Sequence, residues 1–91
     1  KEWLMKVLNV VNYMESSKLW RDKIVQITVS DGGELSLVPR IGQEVFLFGQ
    51  PDDIEDKFRK MEMYYRNIVP EKGASHYTRV SVEYEGQIVC R

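Results

Sequence analysis

Trp3, Leu4, Val7, Leu8, Val11 and Met14 recur at intervals of three and four, which predicts an amphipathic helix over residues 2–15 with those side chains inward. Ser16 and Ser17 follow as candidate caps for a short turn through Leu19, Trp20 and Arg21. Trp20 is the expected plug between that helix and a sheet. The pattern then changes to alternation. In Ile24–Ser30, Val25, Ile27 and Val29 fall on one face and Gln26 and Thr28 on the other. Asp31-Gly32-Gly33 reads as a turn, and Leu35 and Leu37 resume the alternation in Glu34–Arg40. Pro39 lacks a backbone donor and ends that strand or lies at an edge. After Ile41-Gly42, Gln43–Gly49 places Val45 and Leu47 on one face and Glu44, Phe46 and Phe48 on the other, which suits a central strand.

Gly49 to Asp53 breaks the sheet pattern and opens a second helix. Asp52, Asp53 and Glu55 complement the positive end of its dipole. Ile54, Phe58, Met61, Tyr65 and Ile68 form its apolar stripe, with Lys57, Arg59, Lys60, Glu62 and Arg66 on the solvated side. Pro70 and Gly73 are its expected stop, and Glu71–His76 a polar connection. Tyr77–Tyr84 alternates again, with Thr78, Val80, Val82 and Tyr84 on one face. Glu85-Gly86 is a hairpin turn needing positive φ at its second position, and Gln87–Arg91 is the return strand. The expected class is α+β: a mainly antiparallel sheet, built from a three-strand meander and a C-terminal hairpin, with two helices packed on it.

Composition narrows the function. With 91 residues the chain supports a single domain, residues 1–91. Thirteen Lys+Arg against 14 Asp+Glu give a net charge of −1, without the basic excess of a nucleic-acid binder. One cysteine cannot form an internal disulfide or a Cys/His zinc site. No run of apolar residues is long enough to cross a membrane. The chain begins at Lys1, which is the expectation for a piece of a longer protein.

Candidate chemistry is sparse. Gly32-Gly33 joins strands and opens no helix, so it is no phosphate loop. His76 is the only imidazole and reads as a loop residue; Cys90 reads as a small buried thiol. The acids Asp52, Asp53, Glu55 and Asp56 lack the spacing and glycine turn of a calcium loop. No catalytic residue, metal or cofactor is expected.

The last strand is more informative. Gln87–Arg91 has only the preceding strand as an obvious partner. If it lies at a sheet edge, its other side has neither proline nor a bulge glycine and only the terminal Arg91 to block it. Such an edge can accept a strand from another protein. Tyr84, Glu85, Gly86, Gln87, Ile88, Val89 and Cys90 are therefore the candidate partner-binding residues, with Tyr84 flanking the turn as a large amphipathic contact. Two alternatives stay open. One is a small ligand-binding or enzymatic domain, which would need His76 close to Cys90 or a carboxylate. The other is homotypic assembly through the same edge.

The order of three segments resembles the C-terminal β domain of the FtsQ/DivIB bacterial cell-division proteins, in versions similar to those of the Bacteroidetes. These are VPRIGQEVFLFG (Val38–Gly49), PDDIEDKFRKMEMYYRNIVP (Pro51–Pro70) and YTRVSVEYEGQIVCR (Tyr77–Arg91). Leu47-Phe48-Gly49, Phe58-Arg59 and Val80 to Gly86 match the family's pattern, and Lys23–Arg40 resembles its preceding hairpin. The likeness covers residues 18–91. Ser81 stands where the family often has Asp, and Glu83 where it often has Arg. The resemblance implies a non-enzymatic divisome scaffold. It also implies a parent chain anchored by one span in the inner membrane, with this domain on the periplasmic side. The partners it implies are the bitopic proteins FtsB and FtsL, with a strand of FtsB pairing to the last strand. Tyr84 and Gly86 match the family's Tyr and Gly at that hairpin; Glu85 and Gln87 to Cys90 enter only through the edge-strand reasoning.

Overall fold

The computed structural model describes residues 2–73 and 76–91. It contains helix α1 (Glu2–Ser16), strands β1 (Ile24–Val29), β2 (Leu35–Pro39) and β3 (Val45–Gly49), helix α2 (Ile54–Met63), a π-helical turn (Tyr64–Ile68), helix α3 (Val69–Lys72), and strands β4 (Arg79–Ser81) and β5 (Val89–Cys90). The fold is α+β. Five strands form one sheet in the order β1-β2-β3-β4-β5. The meander β1-β2-β3 and the hairpin β4-β5 are antiparallel, and the two pieces meet through the parallel pair β3-β4. A parallel pair needs a crossover, and α2 with its continuation supplies it. Of the polar connection expected over Glu71–His76, helix takes the first part, and residues 74 and 75 lie outside the described residues.

The alternation of β2 and β3 separates the faces of the sheet. Leu35, Leu37, Pro39, Phe46 and Phe48 are buried, whereas Ser36, Val38, Val45 and Leu47 are half-buried on the opposite face. The buried face meets Val10, Met14, Trp20, Phe58, Met61 and Tyr64 in one core. Aromatic rings knit it together. Phe58 lies 5.3 Å from Phe48 and 5.5 Å from Trp20, and Tyr64 meets Phe46 edge-on at 5.6 Å. Trp20 fills its expected place, and Ser17 Oγ accepts the Leu19 and Trp20 amides to close the turn before it.

Several expectations about faces are corrected. Helix α1 is rotated from its expected orientation: Val10 and Met14 are buried, while Leu4, Met5 and Leu8 are exposed. Tyr13, stacked on Phe58 at 5.0 Å, draws the helix round toward α2. Trp3 remains at the surface, with its indole N–H donating to the Gly33 carbonyl at 3.1 Å. In β1 a bulge between Ile24 and Gln26 breaks the alternation, so Ile24 is buried and Val25 and Val29 are exposed. The second helix does not stop at Pro70. The Val69 amide bonds to the Tyr64 carbonyl in the wider π turn, and the chain continues to Lys72 with Gly73 as the stop. Pro70 sits in the first turn of α3, where a missing donor interrupts no continuous ladder. The π turn also shifts the stripe, so Tyr64 is fully buried and Tyr65 only half-buried.

Candidate partner-binding edge

Strand β5 lies at the edge of the sheet, with β4 as its one partner. Its pairing decides which backbone groups are free. The Arg91 amide donates to the Arg79 carbonyl at 2.8 Å, and the Arg91 carbonyl accepts the Thr78 and Arg79 amides at 2.8 and 3.2 Å. Arg91 and Arg79 are thus a hydrogen-bonded pair. Antiparallel ladders alternate such pairs with non-bonded ones, so Val89 also bonds toward β4, opposite Ser81. Cys90 therefore turns its N–H and C=O away from the sheet. The strand is shorter than the expected Gln87–Arg91, and Ile88 lies just before it. Side chains alternate at right angles to this. Ile88 and Cys90 pack against the core on the helix side. Arg79, Ser81, Val89 and Arg91 lie together on the open face around a small hollow that also touches Leu47, Glu83 and Tyr84.

The turn that leads into β5 has its expected form. Gly86 adopts φ 71°, and the Gln87 amide donates to the Tyr84 carbonyl at 3.3 Å. Tyr84, Glu85, Gly86 and Gln87 are exposed, Tyr84 with 53% of its surface free, and Ile88, Val89 and Cys90 are half-buried. The seven candidate residues thus span the turn, strand β5 and the two residues between them. Strand β4 is shorter than the expected Tyr77–Tyr84: Val80 and Val82 are buried, but Thr78 and Tyr84 are exposed.

Lys60 is the residue missed by the sequence reading, which placed it and Lys57 in solvent. Both are buried. The Lys60 ammonium donates to the Val82 carbonyl at 3.2 Å and to the Tyr84 carbonyl, with Asp56 at 3.5 Å as its counter-ion. It fastens α2 to the β4–β5 connection. Lys57 acts similarly one turn earlier, donating to the Gln50 carbonyl at 2.8 Å and pairing with Asp52 at 3.0 Å. Long lysine stems can cover apolar surface while their tips reach polar partners. The available signal was spacing: Lys57, Phe58, Lys60, Met61 and Tyr64 form a complete inward helical face. Of the four acids at the start of α2, Asp52 and Asp56 are ion-pair partners, Asp56 also bonding Arg59 at 3.0 Å, while Asp53 and Glu55 form no ion pair among the described residues.

No side-chain hydrogen bond joins His76 to Cys90 or to a carboxylate among the described residues. His76 rests edge-on against Tyr77 at 4.5 Å, and burial pushes the Cys90 thiol above its ordinary pKa. An apolar hollow lies beside the β2–β3 turn. It has a volume of about 360 Å³ and is bounded by Leu19, Lys23, Ile41, Tyr65 and Val69, with Glu44 at its wall. The Tyr64 hydroxyl donates to Glu44 Oε2 at 3.2 Å, whereas Glu44 Oε1 and the Tyr65 hydroxyl have no protein partner among the described residues.

A family model described as FtsQ/DivIB, C-terminal related, matches residues 1–91. The chain belongs to this family. No curated protein matches the chain. The FtsQ/DivIB family is a family of non-enzymatic scaffolds of cell division, so the chain is related to cell-division domains. Among the described residues, no helix is long and apolar enough to cross a membrane.

Proposed function

We propose that this domain is a divisome interaction module that captures an extended segment of a bitopic FtsB/FtsL-type partner along the free side of β5. The observation that supports this most is the edge itself: β5 ends the sheet and Cys90 directs its backbone donor and acceptor outward, in a chain of the FtsQ/DivIB family. Backbone pairing would supply the affinity, and Tyr84 with the exposed turn would supply side-chain contacts. The domain does no chemistry of its own in this proposal. It is held outside the cytoplasmic membrane by a segment elsewhere in a longer parent chain.

The test is titration of a labelled peptide from an FtsB-type partner against three variants. Tyr84→Ala should weaken binding. Cys90→Pro should abolish it, because the outward amide is lost, while Cys90→Ala retains that amide and should bind normally. Val89→Pro is the poorer test, since the Val89 amide faces β4. Undiminished binding by both Tyr84→Ala and Cys90→Pro, with folding confirmed by melting, would rule the edge out.

A further inference from the structure

Arg79 and Arg91 sit directly opposite one another in the β4–β5 ladder, on the open face of the sheet. Both are exposed, and neither forms an ion pair among the described residues. Like charges directly across a ladder repel. The nearest acid in the same hollow, Glu83, does not relieve them. Its carboxylate accepts the Ser81 hydroxyl at 3.0 Å and lies outside ion-pair distance of either arginine. The cation pair thus spans the β4–β5 hairpin with no counter-ion among the described residues, and Arg91 directly follows the strand with the free edge.

The helix side of the same edge is different. Met63 and Ile88 line a shallow, mainly apolar groove between α2 and β5, together with Asp56, Arg59, Lys60, Gly86 and Gln87. A strand added to β5 alternates its side chains between these two environments. Residues opposite Val89 and Arg91 point to the open face, toward the two guanidinium groups. Residues opposite Ile88 and Cys90 point to the helix side, where Ile88 borders the groove.

From this juxtaposition we infer that the β5 edge selects an acidic strand: an extended segment with carboxylates on its open-face side and apolar side chains on its helix side. The inference rests on the proposed strand addition and specifies the partner's chemistry. Carboxylates beside Arg79 and Arg91 replace like-charge repulsion with attraction, and the planar guanidinium of Arg91 can hold a carboxylate through two parallel hydrogen bonds. Overall charge does not explain such a choice, because the chain as a whole is at −1 and weakly disfavours acidic ligands.

The experiment uses the 91-residue chain and two short labelled peptides. One alternates glutamate with valine, and the other alternates lysine with valine. Fluorescence anisotropy should show the glutamate peptide binding roughly tenfold tighter, with the gap narrowing as salt is raised. Arg91→Glu should invert the preference. Arg21→Glu, which alters net charge equally at the start of the meander, should leave it intact. Equal binding of the two peptides, or an unchanged preference in Arg91→Glu, would overturn the charge selection while leaving strand addition standing. Failure of both peptides to bind at millimolar concentration would overturn strand addition and the selection with it.

Discussion

Tyr64 and Tyr65 are adjacent, yet their hydroxyls have different surroundings. Tyr64 donates to the buried Glu44 carboxylate, whereas Tyr65 has no protein partner among the described residues. Tyr64→Phe should therefore destabilise by about 1–3 kcal/mol, because it leaves a buried carboxylate without its donor. Tyr65→Phe should change stability by less than about 0.5 kcal/mol. Urea unfolding of the two variants distinguishes them. Both phenols are held well above the ordinary tyrosine range, first by burial and then by the negative charge of Glu44. The folded chain thus keeps protons that the unfolded chain releases above about pH 10. Stability from these groups is fully present below that point and declines as pH rises beyond it. Cys90, raised by burial, adds a smaller decline that starts nearer the ordinary thiol pKa of about 8.5. Unfolding followed from pH 7 to 11 should show both phases, and Cys90→Ala should remove the first.

At the scale of elements, Gly49 and Gly86 allow a comparison. Both have positive φ, 78° and 71°, so a side chain at either position meets backbone strain. A Cβ at Gly86 meets nothing within 4 Å, while one at Gly49 would lie 2.8 Å from Glu83 Cβ. Gly86→Ala should cost about 1–2 kcal/mol from conformation alone. Gly49→Ala should cost measurably more in the same melts. Lys60→Met tests the fastening of the hairpin. It keeps most of the stem but strands the buried Val82 carbonyl, so it should cost about 1–3 kcal/mol and speed amide exchange through Gly86–Arg91. The meander, the C-terminal hairpin and the edge position of β5 were legible in the sequence because alternation and turn residues are local signals. The orientation of α1 was not, because it depends on Tyr13 meeting Phe58, a contact between distant segments. The inward lysines were hidden by charge: Lys57 and Lys60 look solvated until Gln50, Asp52, Val82 and Tyr84 are folded around them. The bulge in β1 has no marker in IVQITV that a local pattern would reveal.

At the scale of the molecule, helices cover one face of the sheet and leave β5 free at one edge. In the family to which the chain belongs, that edge gains a scaffold's meaning: the domain would work by being completed. A complex formed this way should contain one partner strand per domain, with the isolated domain monomeric by light scattering. A stable dimer lost in Cys90→Pro would favour the homotypic use of the same edge. The most direct test is residue-resolved amide exchange with and without the partner peptide. In the free domain Ile88 and Cys90 should exchange quickly and Val89 and Arg91 slowly; on binding, Ile88 and Cys90 should become protected. Binding that leaves the Ile88 and Cys90 amides as exposed as before would contradict strand addition at β5.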